Sequence, residues 1–306
     1  MRVAVLHNAV AADAPPEDQD TLVQAEAVSR SLSRLGHQPQ LLPCTLDLNE
    51  LRRELTRLRP DLVFNLVESL ADADSLLYLP VALLDAIGLP YVGNTTEALF
   101  LTTHKLLGKQ YMRQAELPTP DWIESDIRLR PAVTPSAAEC VHNGPGAISD
   151  RGALREKSWI IKGVWDQGSR GMEDDAVVRN AVSADLLPRL EQRRSETGRP
   201  CFAEQFIEGR EFNLAVLGGP NGPESLPPAE IDFSAFPSNK PRIVGYRAKW
   251  QEDCFEYQNT QRRFDFPASD AELLARLRTL ALGCWRLFDL RGWARVDFRV
   301  DASGQP

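Results

Sequence analysis

No stretch of this 306-residue chain runs apolar for the roughly 18 residues that a membrane-crossing helix needs, so none is expected to span a bilayer. A secretory leader is not expected either. The start, "MRVAVLHNAV", holds one arginine and a short apolar run, and reads as a first strand. Cysteine is scarce and scattered. Cys44, Cys140, Cys201, Cys254 and Cys284 form no C-x-x-C pair, which argues against a zinc site, and a disulfide framework does not suit a chain of this length. Reduced thiols in a cytoplasmic protein are the expectation. Positive charge is in deficit: 35 Lys and Arg against 43 Asp and Glu leave a net charge of -8. Nucleic acid is therefore not an expected partner, although a local basic pocket can still hold a small anion. Two nucleotide signatures are also missing. Neither G-x-x-x-x-G-K-[ST] nor G-x-G-x-x-G occurs, which sets aside a P-loop and makes a dinucleotide-dependent dehydrogenase a remote reading.

What is present is ordinary for a soluble globular protein, with 43% apolar and 25% charged residues, and the length suggests two or three subdomains. "RVAVL" reads as a buried strand. After a loop, "TLVQAEAVSRSLSRLG" spaces Leu22, Ala25, Val28, Leu32 and Leu35 as a helix stopped by Gly36. "PQLLPC" is a second strand. "DLNELRRELTRLRP" is a helix capped by Asp47 with a stripe of Leu48, Leu51, Leu55 and Leu58. "DLVFNLV" and "LPYVG" are strands around a buried helix ended by Gly88. Strand and helix alternating at this spacing predict a parallel sheet whose ligands sit beyond the C-terminal strand ends, near His7, Asn8 and residues 65–69.

From about residue 95 the texture changes. Thr95 or Thr96 can cap one short helix and Thr103 another, "HKLLGKQYMRQAE". Residues 124–157 read as a loop or poorly ordered insertion. "WIIKGVW" and "CFAEQFI" are strand-like with a helix between them. "EFNLAVLGG", "LPPAEIDF", "PRIVGYRAKW" and "GWARVDFRVD" read as further strands, the last preceded by a long amphipathic helix.

The stretch "WIIKGVWDQGSRGM", residues 159–172, ends an apolar strand in the lone Lys162 and follows it with Gly163, Gly168 and Gly171. A single cation before a glycine loop points to phosphate, held by a sheet rather than a P-loop. With that stretch, "GLPYVGNTTEALFLTTHKL", "AEQFIEGREFNLAVLGG", "YRAKW" and "GWARVDFRVD" follow in order. Together, over nearly the whole chain, they resemble the ATP-grasp superfamily, and within it the D-alanine–D-alanine ligase-like group.

The resemblance implies a mixed α/β and α+β fold. A parallel α/β pre-ATP-grasp domain (1–98) would precede a central subdomain (99–203) and a C-terminal one (204–306), which clamp nucleotide between two antiparallel sheets. It implies ATP with Mg²⁺, Mn²⁺ being the alternative metal, and small carboxylate and amine substrates. A homodimer would fit the family. Lys105, Lys162 and Lys249 would hold phosphates, assisted by the loop of Gly168, Ser169 and Gly171. Glu204 would accept from the adenine amine, the backbone of Gln205, Phe206 and Ile207 would meet the ring edge, and Glu211 would take the ribose hydroxyls. Arg295, with Lys249, would stabilise an acyl-phosphate and the tetrahedral intermediate after it. Asp297 would bind the metal. The implied reaction is carboxylate activation by ATP followed by amine attack.

Plainer readings stand beside these. Lys162 alone reads as a solvated strand end, Lys105 as a helix-surface charge, Glu204 equally as a salt-bridge partner, and Arg295 with Asp297 as an ion pair on an exposed face. His7 and His104 read as structural or solvated rather than catalytic. The chain also departs from the family pattern. Glu68 in "FNLVES" stands near a family His, Asp18 and Asp20 are the candidates for an early substrate-orienting Glu, and Gly163 replaces a Pro. The family pattern continues into a strand with a Glu and an Asn one residue apart. The sequence stops at Pro306 before it, and the expectation is a fragment of a longer protein. The leading reading is an ATP-dependent carboxylate–amine ligase; the alternative is a non-catalytic ATP-binding protein on the same fold.

Overall fold

The computed structural model describes residues 1–124 and 156–306. The loop expected over 124–157 lies outside the described residues, except for residues 124, 156 and 157, of which Glu124 and Lys157 are strand residues.

The first four strands are β1 (Arg2–Asn8), β2 (Gln38–Cys44), β3 (Leu62–Asn65) and β4 (Tyr91–Val92). They form a parallel sheet in the order β2-β1-β3-β4. Helices α1 (Pro16–Arg34), α2 (Leu48–Leu58) and α3 (Leu79–Ile87) make the crossovers. Alternation of strand and helix dictates this arrangement, because a parallel partner can be reached only by crossing over. Asp47 caps α2, accepting from the Glu50 amide at 2.9 Å, and Leu51 and Leu55 of its stripe join Ala4, Leu6, Val63 and Leu84 in the core. Helix α1 begins earlier than its apolar stripe suggests. Pro16 starts it, as proline's fixed φ suits a first helical position, so Asp18 and Asp20 lie on a helix and not in a loop.

Two helices follow, α4 (Thr96–Thr103) and α5 (Lys105–Gln114). Thr95 caps the first as expected. The second is capped by His104 and not Thr103: the His104 Nδ1 accepts from the Leu107 amide at 3.2 Å, while Thr103 closes α4. An antiparallel sheet comes next, built of β5 (Trp122–Glu124), β6 (Lys157–Gly163), β7 (Val177–Ala181) and β8 (Cys201–Gln205), in the order β5-β8-β6-β7. Helix α6 (Ser183–Thr197) packs Leu186 and Leu190 against Trp159 and Ala203.

The third sheet holds β9 (Arg210–Gly219), β10 (Gly222–Ser225) and β11 (Ala229–Ile231). The chain continues through the short helices α7 (Tyr246–Trp250) and α8 (Phe255–Gln258), strand β12 (Arg262–Arg263), which joins the same sheet beside β11, helix α9 (Ala271–Leu287) and strand β13 (Trp293–Val300), its fifth strand. Strand β13 runs antiparallel to β9 over its whole length, and Phe212, Leu214 and Val216 meet Leu277, Ala281 and Trp285 of α9 beneath the pair. The stretch "PRIVGYRAKW" is not the strand its apolar residues suggest. Ile243 turns inward against Ile160 and Phe206, the Gly245 backbone passes close to the Met172 carbonyl, and α7 starts there. An apolar pair before a glycine reads the same in a strand and in a buried irregular segment.

Candidate active site

Three sets of side chains converge where the sheets face one another. The first comes from the parallel sheet. Asn8, buried at the end of β1, holds the loop after β3 through three contacts: its Oδ1 accepts from the Glu68 amide at 2.8 Å and the Ser69 amide at 3.4 Å, and its Nδ2 donates to the Ser69 hydroxyl at 3.0 Å. The Glu68 backbone is thereby fixed beside the end of β1. It is exposed, yet the surrounding protein desolvates it and raises its pKa, with Asp20 and Asp74 adding to the rise and a hydrogen bond from Gln24 opposing it. Gln24 also donates to Asp20 at 2.8 Å, so one neutral amide links two carboxylates. His7 is buried and contacts the Asn8 carbonyl, a structural role.

The second set belongs to the middle sheet and α5. Lys162 and Glu204 leave neighbouring strands, since Ile160 opposes Glu204 and Lys162 opposes Phe202. Lys162 Nζ donates to Glu204 Oε2, and Lys109, only 4% exposed, donates to Glu204 Oε1 at 2.7 Å and to Thr119 at 2.8 Å. Burial alone would raise the Glu204 pKa, but the two ammonium groups overcome it and hold the carboxyl down at about 2. Lys105 donates to the Asp166 carbonyl; burial first, then the charge of Lys162, lower its pKa to about 8.

The glycine loop is fastened on both sides. Gly168, Ser169 and Gly171 all have positive φ, which glycine adopts without a Cβ penalty. The Gln167 amide donates to Asp74 at 2.7 Å, the Gly168 carbonyl accepts from the Trp250 indole at 2.9 Å, and the Ser169 hydroxyl donates to the Val244 carbonyl at 2.9 Å. Arg170 reaches the parallel-sheet side, with Asp18 and Asp72 each at 2.8 Å and Glu17 and Asp74 each at 3.7 Å.

The third set lies on β9, β13 and α7. Side-chain alternation puts Arg295, Asp297 and Arg299 on one face of β13. Arg295 forms a two-point pair with Asp297 at 2.7 and 2.9 Å, and Asn213 donates to the same carboxylate at 2.9 Å. Arg299 donates to Glu211 at 3.0 Å and to the Ile207 carbonyl at 2.9 Å, and its guanidinium lies over the Phe206 ring. Burial raises the Glu211 pKa against the pull of Arg299. Burial lowers the Lys249 pKa; the charge of Arg295 lowers it further, while Asp297, Glu211 and Glu68 oppose the fall. Lys249 is therefore within electrostatic reach of those four groups. In the expected hinge, the Gln205 amide donates to the Asp121 carbonyl at 2.7 Å and the Phe206 amide to the Ser158 carbonyl at 2.8 Å.

The structure thus pairs Lys162 with Glu204 and Arg295 with Asp297, ties Lys105 to the Asp166 carbonyl and Glu211 to Arg299, and leaves Lys249 within electrostatic reach of Arg295, Asp297 and Glu211. Asp18 is taken by Arg170. Glu17, one residue before it, accepts from the Tyr246 hydroxyl at 2.6 Å, a contact that sequence reasoning missed. Lys109 and Arg299 were missed too, although each had a signal: Lys109 lies one helical turn past Lys105, and Arg299 continues the R-x-D-x-R alternation of β13. Among the described residues no group of three or more His, Cys, Asp or Glu could hold a metal ion. Asp297 offers one hard oxygen ligand, which suits magnesium where phosphates complete its shell.

Comparison with known proteins gives a consistent result. Residues 178–306 match the family described as D-ala D-ala ligase C-terminus. A D-alanine–D-alanine ligase of Synechococcus sp. (strain JA-3-3Ab) is 30% identical over 292 residues, which span 95% of this chain and 78% of that protein. A namesake from Aquifex aeolicus is 25% identical and is covered to 87%. The crystal structure of D-alanine–D-alanine ligase from Bacillus anthracis superposes with a TM-score of 0.67 at 18% identity, covering 99% of this chain and 83% of that one. Its complex with ATP gives 0.64 at 19% identity, with 99% and 82% covered, so the two structures share the fold.

Proposed function

Because the chain belongs to the D-alanine–D-alanine ligase family, we propose that it is an ATP-dependent ligase that joins the carboxylate of one amino acid to the amine of another through an acyl-phosphate. The observation that carries the residue roles is the pairing of β13 with β9, which sets Arg295, Asp297 and Arg299 beside Asn213 and Glu211 on adjoining strands. Residues 1–98 would form the first unit, with nucleotide between the sheets of 99–203 and 204–306. Lys162 and Lys105 hold phosphates, Glu204 and the 205–207 hinge hold adenine, and Glu211 takes the ribose hydroxyls. Arg295 and Lys249 face the charge that develops when the γ-phosphoryl reaches the carboxylate and when the amine attacks. A Mg²⁺ ion on Asp297 would neutralise phosphate charge. Glu68, an acceptor beside the end of β3, favours a substrate that presents an ammonium or a hydroxyl there. Among the described residues no helix is long and apolar enough to cross a membrane, and the four described cysteines are free, in keeping with a cytoplasmic setting.

The test is phosphate release from Mg-ATP by the purified gene product, first with D-alanine and then with other amino acids in pairs. Release that needs both a carboxylate and an amine is the expected result. Binding of ATP with no release across the panel would instead leave the non-catalytic alternative.

Lys105 adds a pH prediction. Its ammonium deprotonates as pH rises through about 8. Mg-ATP affinity is therefore expected to fall between pH 7 and 9, by about tenfold if one charge-assisted contact is lost. In Lys105→Arg the guanidinium stays charged, and the profile should flatten. The stability contribution has the opposite sign. A lysine with a depressed folded pKa disfavours the folded state at low pH, and that cost is relieved as pH rises toward 10.5.

A further inference from the structure

Arg299 has no part in the roles proposed above, yet it touches three segments that carry them. It stands directly opposite Glu211 in the register of β13 with β9. Its Nε donates to the Ile207 carbonyl at 2.9 Å, and its Nη1 donates to Glu211 Oε2 at 3.0 Å and to the Arg242 carbonyl at 2.9 Å. Ile207 belongs to the hinge, Glu211 to β9, and Arg242 to the segment that leads into α7 and Lys249. Resting on the reading of Glu211 as the acceptor for the ribose hydroxyls, we infer that Arg299 is a positioning residue for sugar recognition: it aims the Glu211 carboxylate and ties it to the hinge, and the preference for a nucleotide that carries ribose hydroxyls depends on it.

The donor set suits that task better than it suits packing. The Ile207 and Arg242 carbonyls lie outside the strands, so neither belongs to a ladder, and a planar guanidinium fork can serve both while it holds a carboxylate. The remaining nitrogen, Nη2, is buried and among the described residues has no hydrogen-bond partner. A buried donor left unpaired lowers stability. A methionine could cover the Phe206 ring, whose centre lies 5.2 Å from the guanidinium, without that penalty.

Glu211 depends on Arg299 in two ways. The first is direction. Among the described residues, Arg299 is the one group that donates a hydrogen bond to the Glu211 side chain, which is only 16% exposed. The second is charge. Burial raises the Glu211 pKa and Asp297 adds to the rise; Arg299 is the main opposing group, with a smaller pull from Lys162. Without Arg299 the carboxyl is loose and takes a proton more readily. A protonated carboxyl has lost acceptor capacity, and the two hydroxyl donors of a ribose need acceptors. The hinge contact adds register. Because one guanidinium holds Ile207 and Glu211, base edge and sugar meet the protein at a fixed separation.

Titration calorimetry of the purified gene product with Mg-ATP and with Mg-dideoxy-ATP, which lacks both sugar hydroxyls, tests this. Wild type should prefer ATP by about tenfold or more, as expected for hydrogen bonds to a charged acceptor. In Arg299→Met, shown to be folded by circular dichroism, the two affinities should come within about threefold of each other. A loosened hinge weakens both nucleotides alike and cancels in the ratio, so a merely structural role for Arg299 leaves the preference unchanged. Arg299→Lys retains the charge without the fork and should keep only part of the preference. It carries the test if the methionine variant does not fold. The full wild-type preference in folded Arg299→Met, or in Arg299→Lys where the methionine variant does not fold, would overturn the inference and leave Glu211 as the ribose acceptor. Equal affinities in wild type, or no binding of Mg-ATP, would remove the ribose reading of Glu211 and the inference with it.

Discussion

Arg295→Ala is expected to lower kcat by a hundred- to a thousandfold, the loss typical of one preorganised group facing developing negative charge. Mg-ATP affinity should change by no more than a few-fold, and thermal stability hardly at all. The asymmetry follows from where Arg295 stands. More than half of its side chain is exposed, and so is half of Asp297, its ion-pair partner. An exposed pair of this kind contributes about 1 kcal/mol or less to folding. A guanidinium held there by a two-point contact, within electrostatic reach of Lys249, has little structural work, so a large rate effect would identify it as part of the chemistry. Arg295→Lys makes the comparison sharper. A lysine keeps the charge but loses the planar fork, so it should recover only part of the rate. If Arg295→Ala turns over as fast as wild type, the exposed-face ion pair is the whole of its role.

Much of this arrangement was legible in the residues. The parallel sheet follows from short apolar runs alternating with helical stripes, because each strand or helix announces itself within a dozen residues. Lys162, Glu204 and Arg295 stood out as candidates through the stretches around them, and the structure gives each a charged partner. What single-chain patterning did not carry was how those residues pair. Glu204 reaches Lys109 across 95 positions, Arg299 reaches Glu211 across 88, and Arg170 reaches Asp18 across 152. Periodicity reports which face of an element is buried and says nothing about which distant element lies against it. The early carboxylates show the cost. Glu17, Asp18 and Asp20 look alike in "PPEDQD", yet the turn of α1 sends Glu17 to Tyr246, Asp18 to Arg170 and Asp20 to Gln24. The strand expected at 241–250 failed for a related reason: its apolar residues are buried by contact with Ile160 and Phe206, elements remote in sequence, and not by a ladder.

Gly209→Ala is expected to be the most damaging single methyl in the described part of the chain. Gly209 lies in the turn between the hinge and β9 at φ +151°, a conformation that L side chains rarely adopt. A Cβ built there falls 2.0 Å from the Val300 carbonyl oxygen and 3.3 Å from the Asp301 Cα, both backbone atoms. Neither can retreat easily. Val300 is 1% exposed and pairs with Arg210, and the residue before it, Arg299, is tied to Ile207 and Glu211. The methyl must therefore push the hinge away from the end of β13. Overpacking a rigid site combined with an unfavourable φ should cost about 3 kcal/mol or more, a fall in Tm of roughly 6 °C or more. Gly198→Ala is the control. It too has positive φ, at +66°, but nothing lies within 4 Å of its added Cβ, so only the conformational cost of about 1–2 kcal/mol applies. The two variants differ in function as well as stability. Moving the 205–207 hinge should weaken Mg-ATP binding in folded Gly209→Ala, whereas Gly198→Ala should bind as wild type does. Equal Tm losses in the two would mean that β13 yields to the methyl, and that the contact between Gly209 and Val300 does not hold the hinge in place.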